Sequence, residues 1–275
     1  MIDRNPQGPA VMDGGVVTPD ELVLQWSDPA AQWGIGVFET LAVRDRSPRH
    51  LHQHLERLSA AAERLGVALP AATELVRGVK AVAEGRAEAG AWVKIMVSRS
   101  GRWAVFGGPV AAEEEGSAVS AVILPWRRHR LDPTMGIKSV GYAPMVLGLE
   151  EARRRGADDG LWLNERGHVI GSCTGNVFVV RGRAVVTPSL ADGARDGVVR
   201  ALAITALRDF GLSVRQSKVR FAALRLADEI FLTSSIRGIR PVVRLDGRYV
   251  RKGLRGPVTR KLAERLAESG VSQGA

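Results

Sequence analysis

The chain has 275 residues, of which 45% are hydrophobic and 25% charged, with a formal net charge of +10. This length buries a substantial core, as one large α/β domain or two ordinary lobes, and the composition excludes a disordered chain. No apolar run approaches the roughly 18 residues of a membrane span, and the charge is spread along the chain without a nucleic-acid-binding motif, so both of those roles are set aside. Apart from "RRHR" at Arg127 to Arg130 and "ARRRG" at Ala152 to Gly156, arginines are scattered, which fits a solvated surface or a site that attracts an anionic small molecule. The lone Cys173 forms no internal disulfide, and the opening "MIDRNPQGPAVMDGG" lacks the basic-then-apolar order of a secretory signal. A cytoplasmic location is the expectation.

Taken in chain order, residues up to Thr18 are rich in Gly, Pro and Asp and predict an irregular or strand-bearing lead-in. The segment "VFETLAVRD", Val37 to Asp45, alternates in part and predicts a strand. A helix follows, with Leu51, Leu55, Leu58, Ala62 and Leu65 at three- and four-residue steps and Gly66 as its stop. A second helix over "ATELVRGVKAVAEG" and the strands "AWVKIMVSRS" and "SAVSAVILPW" complete an N-terminal lobe over 1–126, with 127–136 as linker. In the C-terminal lobe, 137–275, "MVLGLEEARRRG" predicts a helix ending at Gly156. Next, "DGLWLNERGHVIG" predicts two strands joined at Asn164 to Gly167. Then come the hairpin "NVFVVRGRAVVTP", a helix opening after Gly197, the strand "EIFLTSS", a hairpin at Asp246-Gly247 and a last helix with Pro257 in its first turn. The fold class is α+β, two lobes each of mixed sheet flanked by helices.

Several segments, in order and at matching separations, carry a resemblance. They are "GIGVFET" (Gly34 to Thr40), "HLERL" (His54 to Leu58), "GIKSVGYAPMVLGLEEARRRGADDGLWLN" (Gly136 to Asn164), "VIGSCTGNVFVV" (Val169 to Val180), "DGVVR" (Asp196 to Arg200), "ADEIFLTSSIRGIRPV" and "GPVTRKL". Together they span nearly the whole chain and resemble the fold type IV pyridoxal-phosphate enzymes. That family holds branched-chain and D-amino-acid aminotransferases and aminodeoxychorismate lyase, and the likeness is greatest to the last. The resemblance implies the two-lobed D-amino-acid aminotransferase-like fold, pyridoxal 5'-phosphate as cofactor and a homodimer. It places Lys138 at the Schiff-base lysine, which must lose its proton in a partly buried pocket and then act as a base. It gives the phosphate to Arg57, to the backbone of Val198 and Val199 at a helix N-terminus, and to Ser234 and Ser235; Tyr142 would reach the cofactor's phenolic oxygen. Lys94 and Arg102 match the lyase branch, and Arg99, Arg102, Arg237 and Arg240 are the candidates for gripping an anionic substrate. His52, His54 and His168 show no metal-ligand spacing and Cys173 has no base partner in sequence, so neither a metal nor a thiol mechanism is assigned.

Four positions depart from the family's pattern. Five residues before Asn176, where the family has a glutamate on the protonated pyridine nitrogen, stands Gly171. Ile35 and Gly141 replace an Asp and an Asn, and Val199 replaces a hydroxyl. Loss of the glutamate weakens the cofactor's electron sink. Three readings stay open: another group replaces the carboxylate, Lys138 serves a reaction without pyridoxal phosphate, or the chain is a non-catalytic partner. Elimination of pyruvate from 4-amino-4-deoxychorismate, giving 4-aminobenzoate, asks less of a weak sink than transamination does, because leaving-group loss quenches the carbanion. The expectation is therefore an aminodeoxychorismate lyase-like enzyme, with a branched-chain or D-amino-acid aminotransferase as the alternative and a diverged, cofactor-independent or non-catalytic protein as the other.

Overall fold

The structure, a computed structural model, describes residues 5–85, 90–110 and 116–269; the first residues of the lead-in and the last of the C-terminal lobe lie outside them. Two compact units divide the described chain: unit 1 holds 5–110 with Ile137–Tyr142, and unit 2 holds 116–136 and the residues from Ala143 onward.

Unit 1 begins with a hairpin, β1 (Ala10–Met12) and β2 (Gly15–Val17), turned by Asp13 and Gly14 at positive φ. A short helix, α1 (Pro29–Trp33), is capped by Asp28, whose carboxylate accepts the Ala30 N–H at 2.7 Å. Then come β3 (Gly36–Arg44), β4 (Ser47–Pro48), the helices α2 (Leu51–Leu65) and α3 (Ala72–Glu84), and the strands β5 (Ala91–Ser98) and β6 (Trp103–Pro109). The strands form one sheet in the order β2-β1-β6-β5-β3-β4, antiparallel throughout. One face packs on the helices: Val37, Leu41, Val43, Val93, Ile95 and Val105 bury against Leu58, Ala62, Leu75, Val79 and Val82. The two helices lie on this sheet because their apolar residues recur every three or four positions. Strand β6 is absent from the sequence reading, since "WAVFGGP" carries two glycines that signal a break. Its Gly107 is required by closeness, because a Cβ there would collide with the Trp92 carbonyl across the ladder.

Unit 2 contains β7 (Val119–Arg128), α4 (Ala143–Arg154), β8 (Asp159–Asn164), β9 (His168–Ser172), β10 (Asn176–Arg181) and β11 (Ala184–Thr187). After these come α5 (Val198–Asp209), β12 (Ser213–Gln216), β13 (Val219–Arg220), α6 (Phe221–Arg225), β14 (Glu229–Ser234), β15 (Gly238–Leu245), β16 (Arg248–Tyr249) and α7 (Pro257–Ser269). Its mixed sheet runs β12-β11-β10-β14-β15-β7-β8-β9-β13, with β16 paired to β15. Both faces are covered. Val177, Val179, Ile230 and Leu232 enter one core, while Phe178, Val180 and Phe231 enter another against Ala203, Ile204 and Leu207 of α5 and Leu262 of α7. Burial on both sides explains why these strands read as continuous apolar runs. The start of α7 is held from afar: the buried Glu229 carboxylate accepts the N–H groups of Val258 and Thr259 and the Thr259 hydroxyl, at 3.1, 2.8 and 2.7 Å.

The lobe boundary is drawn differently from the sequence reading. Arg127 and Arg128 end β7 instead of opening a linker. Lys138, assigned there to the C-terminal lobe, groups with unit 1, because its segment pairs with the edge of β3: Phe38 N–H donates to the Lys138 carbonyl and Val140 N–H to the Gly36 carbonyl, both at 2.9 Å. Among the described residues no helix is long and apolar enough to cross a membrane.

Phe178 and Phe231 face each other across β10 and β14, stacked at 4.9 Å and fully buried. Replacing Phe231→Ala is expected to cost about 3–5 kcal/mol, through lost apolar burial and the cavity left behind, read as a lower midpoint in urea unfolding with unchanged slope.

Candidate functional site

Alternation along β3 sorts its side chains between two environments. Val37, Glu39, Leu41 and Val43 face the helices, whereas Phe38 and Thr40 face the opposite side. Glu39 is therefore a carboxylate in the core, 1% exposed. Two residues on one face of α2 satisfy it. Arg57 donates through Nε and Nη2 at 2.6 and 2.7 Å, and the His54 Nδ1–H donates at 2.7 Å. Burial pulls the His54 imidazole below its ordinary pKa of 6.5, so its bond to Glu39 is a neutral N–H donation. The Nε2 of His54 is buried with no hydrogen-bond partner among the described residues.

Lys138 lies opposite Phe38 in the edge pairing, so both side chains share one face. Its Nζ sits 4.0 Å from the Phe38 ring centroid. Tyr142 stands edge-on to the same ring, centroids 5.0 Å apart at 85°, with Lys138 Nζ 5.4 Å from the tyrosine ring. Lys94, brought onto this face by the register of β5 with β3, places its Nζ 4.5 Å from the Phe38 centroid and 5.9 Å from that of Phe106. Beside them is an apolar cavity of about 410 Å³, lined by Met12, Leu22, Leu24, Met96, Phe106 and Val140 among others.

The sequence candidates distribute as follows. Lys138 and Tyr142 are brought together on Phe38, and Arg57 lies in the same unit with two of its donors on Glu39, a partner that sequence reading did not provide. Arg102 lines the apolar cavity, but its Nε pairs with Asp13 at 2.6 Å; Arg99 is exposed and does not line it. Gly141 replaces the family's Asn where the chain passes Gly34, its N–H donating to the Gly34 carbonyl at 3.0 Å and a Cβ on Gly34 meeting its Cα at 2.8 Å.

In unit 2, Val198 and Val199 open α5, whose N-cap Gly197 gives no side-chain bond to the first turn. A Cβ on Gly197 would collide with the Asn176 Oδ1, while the Asn176 Nδ2 donates to the Arg195 carbonyl at 2.8 Å. Ser234 ends β14, its Oγ accepting the Arg237 N–H at 3.2 Å, and the partly buried Ser235 follows. Gly171 lies on β9 at φ 155°, and a Cβ there would come 3.2 Å from the Gly175 carbonyl oxygen. It lines a small cavity of about 40 Å³ with Ser172, Asn176, Trp162, Arg128 and Arg195; no acidic side chain is among the lining residues. No carboxylate therefore takes the place of the missing glutamate in that cavity. Cys173 is buried, which pushes its thiol up to about 12 and leaves it inert.

Sequence reading passed over Glu39 and Phe38. The signal for Glu39 was a carboxylate in register with Val37 and Leu41, met by the His54 and Arg57 pair three residues apart on an apolar helix face.

The model of the amino-transferase class IV family matches residues 36–245. The chain is 25% identical to the branched-chain-amino-acid aminotransferase of Pseudomonas aeruginosa over 283 residues, covering 90% of each. It superposes on the branched-chain aminotransferase of Thermoproteus uzoniensis with norvaline at a TM-score of 0.87 and 26% identity, over 97% of this chain and 95% of that one. It also superposes on the PLP-bound form of a hypothetical aminotransferase from Mycobacterium tuberculosis at 0.88 and 25% identity, over 96% and 99%. These relatives are aminotransferases, and they correct the expectation of an aminodeoxychorismate lyase-like enzyme: the motifs that leaned towards the lyase occur on a chain whose full-length similarity runs to branched-chain aminotransferases. The reading of a cofactor-independent or non-catalytic chain gives way as well, since the matched family uses pyridoxal phosphate.

Burial alone would raise the Glu39 carboxyl, but the Arg57 charge and the bonds from His54 and Arg57 outweigh it and hold it at about 2, below its ordinary 4.5. A folded-state value below the unfolded one gives stability that is complete above pH 4.5 and lost as pH falls towards 2, roughly 3 kcal/mol for a shift of this size. His54 acts in the same direction from 6.5 downward, where the unfolded chain gains a proton that the folded chain resists. Urea unfolding across this range is expected to show both losses in the native chain, and a Glu39→Gln chain that is weaker at neutral pH and lacks the lower one. Identical profiles below pH 4.5 would refute the assignment.

Proposed function

The chain belongs to the amino-transferase class IV family, and from that premise we propose that it is a pyridoxal-phosphate-dependent aminotransferase acting on branched-chain amino acids. The observation that carries the reading is the amine of Lys138 on the Phe38–Tyr142 wall, on the same sheet face as an apolar cavity of a size suited to an aliphatic side chain. The donor set fits the cofactor. Unit 1 offers an amine for an aldehyde, and unit 2 offers backbone N–H groups at an uncapped helix start and two adjacent hydroxyls for a phosphate.

In this reading Lys138 holds the cofactor and moves the proton at the substrate's α-carbon. Bound pyridoxal phosphate supplies the electron sink for the charge that develops there. Tyr142 sets the orientation of the Lys138 amine by closing the Phe38 ring from its edge, and its hydroxyl is placed for the cofactor's ring oxygen. Val198, Val199, Ser234 and Ser235 hold phosphate, and Arg57, kept rigid by Glu39, adds its charge. Met96, Phe106 and Val140 exclude water from the aliphatic group, while cationic side chains near the cavity, Arg102 and Lys94, attract the carboxylate of a small anionic substrate. The same reading expects a homodimer in the cytoplasm.

The test is exchange of amino groups between leucine, isoleucine or valine and 2-oxoglutarate, read as formation of the branched keto acid. Borohydride treatment of the loaded protein is expected to fix the cofactor on Lys138, and Lys138→Ala to lose both the label and at least a thousandfold of the exchange rate. Exchange confined to D-amino acids, or cofactor fixed on a different lysine, would overturn the proposal.

A further inference from the structure

Two lysines face one aromatic ring. The Nζ atoms of Lys138 and Lys94 lie 4.0 and 4.5 Å from the Phe38 centroid, so they stand no farther apart than the sum of those distances. Lys94 comes from the middle of β5 and is half-buried, between the rings of Phe38 and Phe106. Among the described residues no carboxylate or other acceptor bonds its ammonium. We propose that Lys94 is a positioning residue that acts on Lys138 through charge, its ammonium driving the proton off the Lys138 amine so that this amine is nucleophilic at neutral pH. The inference rests on the reading of Lys138 as the cofactor-bearing lysine.

The charged and titratable groups around Lys138 bear this out. From β3 comes Glu39, on the opposite face and already bonded twice by Arg57; from α2 come Arg57 and the neutral His54; from its own segment comes Tyr142. The one carboxylate in this set is thus matched by a guanidinium, and Lys94 on β5 is left as the charge that Lys138 meets across the ring. Burial itself pushes the Lys94 ammonium below its ordinary 10.5, as expected of a cation held in a low-dielectric place without a counter-ion. Such a pair gives up its first proton early, because the second charge costs more than the first, and the cationic Lys138 is the member also set against the Arg57 side of the sheet edge.

Competitive labelling reads the consequence without substrate or cofactor. The full-length chain, stripped of cofactor, is treated with trace acetic anhydride across a range of pH, and acetylation of Lys138 and Lys94 is followed by mass spectrometry. In the native chain the half-reactivity point of Lys138 is expected well below the roughly 10.4 of an ordinary lysine. In Lys94→Met and Lys94→Gln, Lys138 is expected to label about tenfold more slowly near pH 8, the factor a like charge imposes at this separation with protein-like screening. Lys94→Arg, which keeps the charge, is expected to label as the native chain does. An ordinary half-reactivity point in the native chain overturns the inference whatever the variants do, as does equal labelling of native and neutral variants. A chain that exchanges amino groups with an unshifted Lys138 sinks this inference alone; a shifted Lys138 in a chain that exchanges none sinks the proposed function alone.

Discussion

A buried carboxylate sets the geometry of unit 1. An ion with 1% exposure persists only where bonds replace its water, and Glu39 obtains them from Arg57 and His54 on a single helix. That requirement ties β3 to α2 and also pins the register of β3. A slip by one residue would turn Glu39 to the far face and Phe38 into the helix core. With the register fixed, Phe38 must present its ring on the other side, where the edge pairing delivers Lys138 and the β5 ladder delivers Lys94. The polar network in the core and the cationic cluster on the outer face follow from one constraint on one strand.

Unit 2 applies the same rule to different ends. Its sheet is covered on both faces, so its strands carry few polar side chains, and the acids that do lie inside are matched by donors. Glu229 receives the first N–H groups of α7. Asp159, fully buried, accepts from the N–H groups of Gly160 and Cys173 and from the Thr174 hydroxyl. Burial raises the Asp159 carboxyl despite those bonds. The loop between β9 and β10 is thereby held in place, and with it Gly171, whose positive φ and closeness to Gly175 leave little room for a side chain. The departure at Gly171 is built into the backbone there and is not a simple truncation of a side chain.

The chemistry inherits a cationic bias from these frames. Two arginines line the cavity at Gly171, and two lysines meet at Phe38. A net charge of +10 spread over the surface gives weak, long-range attraction, whereas lysines held against aromatic rings act at fixed positions. Aromatic faces stabilise each cation without neutralising it, so the field of one amine is still felt by the other. A carboxylate in the same place would cancel it.

The α+β class, most helices and the hairpins were legible because their signals are local: apolar steps ending at Gly66 and Gly156, the Asp246-Gly247 turn, Pro257 in a first turn. Family motifs carried Lys138 and the cofactor into view, since those residues sit at fixed places along the chain. What depends on distant partners was not legible. Strand β6 was hidden by Gly107, a glycine required by the neighbouring Trp92 carbonyl; Glu229 sits 28 residues before the helix it caps, and Lys138 joined unit 1 by pairing with an edge a hundred residues away. The choice of aminotransferase over lyase lay likewise outside the motifs, in the similarity of the whole chain. Sequence determined which side chains exist and the period at which they recur; only tertiary structure decided which of them share a face, because burial and pairing are settled between segments that the chain order keeps apart.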